Sequence, residues 1–200
     1  MADKLPSDIY PDSRFRLPLP TREELDDAGK KIYDHHAAPG GQSLAGLHGP
    51  GGIRLHSPKL SALQSAPSRY LRFEAGFSGP IRELIILVTA REMDSQFEWF
   101  QHESEARKEG LPQDIIDTVK HRRPLDGVPE QEAAIIAFGR ELIGTRKVSQ
   151  ETFARALKIF GKRALVDMVS LMGNYAATAL LLVAFDARLP EGESPGLPIG

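Results

Sequence analysis

The sequence contains no cysteine. That absence excludes thiol peroxidase and dithiol redox chemistry, a cysteine nucleophile, disulfides and any cysteine-ligated zinc site. Charge of one sign is also scarce. The 25 Lys and Arg against 27 Asp and Glu leave a formal net charge of −2, so no global field draws in nucleic acid or an anionic membrane. The basic cluster Lys120-His121-Arg122-Arg123 is short and fits a solvated loop after a helix. Long apolar runs are missing too. Residues 164–185 are rich in Ala, Leu, Val and Met, but Asp167, Ser170, Asn174 and Thr178 interrupt them. The stretch from Tyr175 to Phe185 is only 11 residues, whereas a spanning helix wants roughly 20. A buried core or subunit-interface helix is expected there, and no membrane partner. The start, Met1-Ala2-Asp3-Lys4-Leu5-Pro6, has no apolar segment of the secretory kind, so a cytoplasmic location is expected.

What is present suits one globular domain. The 200 residues are 41% hydrophobic and 26% charged. Pro6, Pro11, Pro18 and Pro20 make residues 1–20 an extended arm, because proline disfavours helix at itself and at the residue before it. Thr21-Arg22-Glu23-Glu24 has the form of a capping box and predicts a helix over 21–36, stopped by Pro39-Gly40-Gly41. Residues 39–56, rich in Gly and holding His48 and His56, read as loop. Ser57-Pro58 opens a helix to about 75, and Gly79-Pro80 opens the next. The run Leu84-Ile85-Ile86-Leu87-Val88 could be a strand by periodicity alone, but its flanks favour helix. Helix then resumes over 95–109 and stops at Gly110. Further helices are predicted at about 112–119, 129–144, 149–160 and 162–186, the last two separated by Gly161. A Pro/Gly-rich tail occupies 187–200, after a domain spanning 21–186. The expectation is an all-α bundle of about seven helices.

One stretch carries chemistry: Asp94-Ser95-Gln96-Phe97-Glu98-Trp99-Phe100-Gln101-His102. At 100° per residue, Ser95, Glu98 and His102 fall within about 60° on one helix face. Glu98 and His102 are i,i+4 neighbours, and a carboxylate beside an imidazole suits proton transfer. The plain alternative is an exposed pair worth a few tenths of a kcal/mol. Glu83 precedes five apolar residues, where a carboxylate is costly unless paired; Arg82 or Arg91 could pair it. Its place in the first turn after Gly79-Pro80 would equally suit the helix dipole. His48 and His56 fit ligand contacts or plain solvation, and Asn174 should find a structural hydrogen bond if buried. Glu98 and His102 do not form a zinc-protease motif, and no second His sits at metal spacing, so no metal is expected.

These residues resemble a known family. Arg82-Glu83-Leu84-Ile85-Ile86-Leu87, then Ser95-Gln96-Phe97-Glu98-Trp99-Phe100-Gln101-His102, then Ala106 and Gly110-Leu111, are similar to the core of the carboxymuconolactone decarboxylase family, whose broader group includes the AhpD-like alkylhydroperoxidases. The likeness is strongest over 80–120 and looser from about 45 to 186, through Gly49-Pro50, Leu55-His56-Ser57-Pro58, Tyr70-Leu71-Arg72 and Gly173-Asn174-Tyr175. In the peroxidase branch, Glu83 would match the glutamate of the pattern, Ser95 and Glu98 the two cysteines, and His102 the histidine. The spacing survives and both sulfurs are gone, so no peroxidase activity is expected; serine cannot cycle through a disulfide or sulfenic acid.

The decarboxylase branch implies a cofactor-free reaction on a carboxylated unsaturated lactone from aromatic compound catabolism. There, His102 and Glu98 would relay a proton, and Glu83 would hold the His102 tautomer. Arg54, Arg72 or Arg82 would bind the substrate carboxylate, with Ser95, His56, Trp99 and Tyr175 lining the site. The resemblance and the apolar 164–185 helix imply a homo-oligomer, trimer or hexamer. A non-catalytic, ligand-binding oligomer is the alternative from a different class.

Overall fold

The computed structural model describes residues 5–38 and 43–199. Met1 to Lys4 and the expected helix stop Pro39-Gly40-Gly41 lie outside the described residues, as do Gln42 and Gly200. Among the described residues there are eight α-helices and no strand, so the fold is all-α. They are α1 (Asp27–Ala37), α2 (Pro50–Arg54), α3 (Pro58–Arg69), α4 (Gly79–Glu92), α5 (Gln96–Lys108), α6 (Gln113–Lys120), α7 (Glu130–Gly139) and α8 (Gln150–Ala184). The chain divides into two compact units, one of Met1–Pro67 with Leu180–Ser194 and one of Ser68–Ala179 with Pro195–Gly200.

In the first unit the expected helix over 21–36 begins later. Glu24 does reach back to the Thr21 amide (2.8 Å), but the box closes only one 3₁₀ turn. Asp26 is the working N-cap of α1, its carboxylate accepting from the Gly29 amide at 2.7 Å. The expected loop 39–56 contains α2. Glycine is a poor helix former, yet Gly51 and Gly52 are buried and closely approached: a methyl on Gly52 would lie 1.9 Å from the Leu47 carbonyl oxygen. The amino-terminal segment is pinned to residues 185–189. Arg16 donates its amide to the Phe185 carbonyl (2.9 Å), Arg188 donates to that of Arg14 (2.9 Å), and Phe15 is fully buried.

The second unit is built on α4. Every residue from Glu83 to Arg91 is buried. The run Leu84 to Val88 is helix rather than strand, and it is apolar all round because α5, α6 and α7 pack around it. Leu165, Met168, Leu171, Met172 and Tyr175 of α8 complete the core. Each fully buried Leu or Ile contributes roughly 1.5–3 kcal/mol. Two π-helical turns, Tyr70–Glu74 and Arg140–Thr145, extend α3 and α7. The two helices expected at 149–160 and 162–186 run on as α8 across a break at Gly161, whose φ of 72° and ψ of 172° only glycine adopts readily. By length and apolar content α8 could cross a membrane, though the same test passes the core helix of a globular protein.

Candidate functional site

A tight turn joins α4 to α5. Asp94 takes a left-handed conformation (φ 49°), which Asp tolerates better than most residues, and the Ser95 amide closes back on the Ala90 carbonyl at 2.8 Å. The chain reverses there, so α5 packs back along α4. Residues 83 and 102, far apart in sequence, are thereby brought face to face.

His102 Nδ1 lies 2.7 Å from Glu83 Oε2. Both side chains are withdrawn from water: Glu83 is 0% exposed and His102 7%. A carboxylate accepts only, so the proton on Nδ1 faces Glu83 and Nε2 is the nitrogen left to gain or lose one. Burial alone would push the Glu83 carboxyl up; the hydrogen bond and charge of His102, followed by those of Arg82, outweigh it and hold the group below its ordinary value.

Of the two arginines that could pair with Glu83, Arg82 does so, its Nε donating to Glu83 Oε1 at 3.0 Å. Its other arm donates to Glu109 Oε1 at 2.8 Å. Arg91 serves elsewhere: it donates to the Lys120 carbonyl at 2.9 Å and pairs with Asp94. The site is thus a chain of charge, Glu109–Arg82–Glu83–His102. Nothing in the sequence marks Glu109, which stands simply as the last residue before the Gly110 stop.

Tyr175 of α8 meets the His102 ring edge to face, the centroids 5.1 Å apart and the planes at 84°. Its hydroxyl is raised far above the ordinary phenol value, first by burial; the cations Arg72 and Arg82 oppose the rise and the anions Glu83 and Glu98 add to it. Tyr175 therefore stays a neutral donor. Glu98 sits one turn before His102 on α5 and is 3% exposed, so the plain picture of an exposed Glu98–His102 pair does not hold. Ser95 is buried at the N-cap of α5.

The remaining predicted residues have surroundings of their own. Trp99 is fully buried in the core, with Lys120 Nζ 5.9 Å from its ring and Gly196 of the carboxy-terminal segment against its indole edge. That segment is clamped by Gln96, which donates to the Leu197 carbonyl and accepts from its amide, both at 2.9 Å. Arg54 and His56 belong to the first unit, where His56 Nε2 lies 3.0 Å from the Pro18 carbonyl. Asn174 has the structural contact expected of it, receiving the Ser68 hydroxyl at 3.4 Å. Arg72 lies on the π-helical turn after α3. No three His, Asp or Glu side chains among the described residues converge as metal ligands would.

Neither a protein-family model nor a curated protein matches this sequence. A solved structure does. It is that of a protein of unknown function from Agrobacterium tumefaciens, described as a candidate antioxidant defence protein AhpD. It is 19% identical, with a TM-score of 0.62, over 68% of this chain and 94% of that one. The fold is AhpD-like. At that identity the likeness speaks for the fold alone. Within this AhpD-like fold, the positions read from the sequence as those of the two cysteines hold Ser95 and Glu98.

Proposed function

We propose that this protein is a cofactor-free acid–base enzyme acting on a small carboxylated or lactone-like substrate, with the decarboxylase chemistry that its sequence resembles. The observation that carries the proposal is the buried 2.7 Å contact between Glu83 and His102 Nδ1, in a chain with no thiol. Such a pair fixes one tautomer and supports the imidazolium when it forms.

The steps balance without an external electron acceptor. The substrate's C–CO₂⁻ bond breaks, CO₂ leaves, and the bonding pair moves into the conjugated lactone carbonyl as a dienolate. Tyr175, held neutral, is a suitable donor to that oxyanion. His102, carrying a second proton on Nε2 as the imidazolium that Glu83 supports, then delivers that proton to carbon, and Glu98 or water restores it. The net change is one proton consumed per CO₂ released.

The test is turnover of carboxylated unsaturated γ-lactones, followed by CO₂ release and by deuterium incorporation from D₂O. His102→Ala should lower the rate by about 10²–10⁴-fold with the fold intact. Unchanged turnover rejects the mechanism. The antioxidant description of the A. tumefaciens protein supplies the rival. Consumption of an organic peroxide with a thiol donor would overturn the present reading.

The assembly belongs to the same proposal. Val166, Leu180 and Val183 of α8 are each more than 60% exposed. Their burial in a trimer or hexamer fits an interface helix of a cytoplasmic enzyme. Light scattering that gives a stable monomer removes this part.

A further inference from the structure

The sequence offers several arginines for a substrate carboxylate, and the structure separates two of them. Arg82 is already committed. Its guanidinium lies between Glu83 and Glu109, at 3.0 and 2.8 Å, and recruiting it to a ligand would release the carboxylate that orients His102. Arg72 is differently placed. Its Nε is buried and has no hydrogen-bond partner among the described residues, an expensive condition for a cationic donor. It also sits on the π-helical turn Tyr70–Glu74, a distortion that aims side chains away from the regular helical register.

A shared aromatic ring ties Arg72 to the reactive pair. Its guanidinium carbon is 4.8 Å from the centroid of Phe73, and the Arg82 guanidinium lies 5.7 Å from that same ring. Arg82 leads to Glu83 and Glu83 to His102. Phe73 is 46% exposed, so a ligand can reach this platform from solvent. The cationic field of Arg72 also reaches the Tyr175 hydroxyl beside the His102 ring.

We propose that Arg72 is the anion anchor of the site: it binds the carboxylate of a small planar substrate, and Phe73 flanks that ion pair. The guanidinium fork matches a carboxylate in two parallel hydrogen bonds, which a neutral amide cannot reproduce. The substrate class this selects is the carboxylate anion rather than the neutral lactone or ester. The inference rests on the acid–base reading of the Glu83–His102 pair for its biological meaning, but its test measures binding and needs no turnover.

The probes are 2-furoate, a five-membered oxygen heterocycle bearing a carboxylate, and its uncharged amide, furan-2-carboxamide. Each is titrated into the full chain by NMR and calorimetry. Wild type and His102→Ala should both bind furoate saturably and prefer it over the amide. Arg72→Gln should weaken furoate roughly 10- to 100-fold, the loss expected for charge-assisted hydrogen bonds, and leave the amide unchanged. Arg72→Lys keeps the charge and loses the fork, so it should fall in between; it is the deciding variant if Arg72→Gln does not fold. Overturning results are no saturable furoate binding by wild type, equal affinity for furoate and amide, or furoate affinity unmoved by the folded Arg72 variants. If binding behaves as expected and no lactone is turned over, the acid–base reading fails and the anion site stands.

Discussion

The Glu109 carboxylate fills the space that a side chain on Gly79 would need. A methyl there would lie 1.7 Å from Glu109 Oε2 and 2.6 Å from its Cδ. Gly79 is the first residue of α4, so the carboxylate rests at the helix's positive end while it holds Arg82. Glu109 bonds to Arg82, which bonds to Glu83, so it is a positioning residue acting through that pair. Glu109→Gln and Gly79→Ala should both slow turnover several-fold with little change in KM. Their stability cost should be about 1 kcal/mol or less, since Glu109 is a third exposed. The double variant should be no worse than either single one, because both break the same link. Nitrogen NMR of the His102 ring gives the specific readout: one tautomer in wild type, a mixture in the variants. A single tautomer throughout, or additive losses, would show that the chain of charge does not reach the imidazole.

Glu83 should make the fold acid-sensitive in a definite window. Its carboxyl ionises below the ordinary value of 4.5 in the folded protein, held there by His102 and Arg82 against the opposing effect of burial. The unfolded chain therefore takes up a proton first as pH falls. The stabilisation is complete above about pH 4.5 and is lost as pH drops through the lower folded value. Glu83→Gln removes one partner from a buried charged cluster, at a cost of about 3–5 kcal/mol at pH 7. Urea unfolding of both proteins from pH 7 to 3 should show the gap closing below pH 4.5. A gap that stays constant to pH 3 would mean the carboxylate is not what stabilises the folded state.

How far this site could be read in advance depends on the range of the forces involved. The helical face of Ser95, Glu98 and His102 follows from 100° geometry within a single helix. Gly79-Pro80, Gly110 and Gly161 mark helix ends because their backbone preferences are local. Arg82 and Arg91 stand out as partners for Glu83 because both are near it in sequence. Glu109 is 27 residues from Arg82, and only the packing of α5 on α4 brings it there. The glycines of α2 act the opposite way: a glycine-rich sequence reads as loop, whereas its missing side chains serve close packing. At Thr21 the capping pattern was real, but Asp26 offered a better-placed N-cap to the helix that follows.

Gly139 is a second close approach, this one purely structural. A methyl on it would meet Val88 Cγ1 at 2.3 Å and Met172 Cε at 3.3 Å. Val88 is a stiff β-branched residue buried in α4, so it cannot turn aside as Glu109 can. Gly139→Ala should therefore destabilise by about 1–3 kcal/mol through overpacking, despite alanine's better helix propensity. The contrast lies in the Val88→Ala background. With the obstructing methyls gone, the same change should become neutral or stabilising by up to about 1 kcal/mol. Denaturant melts of the four proteins decide it; an equal loss in both backgrounds would place the strain somewhere other than the α4–α7 contact.

His36 gives the first unit its own response to acid. The ring lies close against Gly51, where an added methyl would come within 2.7 Å of Nδ1, and that nitrogen is buried with no hydrogen-bond partner among the described residues. Burial first, and then the charges of His35 and Arg54, push its pKa down to about 4. The folded protein thus keeps the ring neutral where the unfolded chain, near its ordinary 6.5, has already bound a proton. The stabilisation is full above about pH 6.5 and disappears progressively toward pH 4, amounting to about 2 kcal/mol after allowance for partial solvent screening. His36→Phe keeps an aromatic ring over Gly51 and removes the titration. Between pH 7 and 5 it should lose less stability than wild type, with the difference concentrated in the amide protection of α1 and α2. The ring protons of His36 provide the direct check: a midpoint near 6.5 in the folded protein would show that the imidazole is solvated and the acid response has another source.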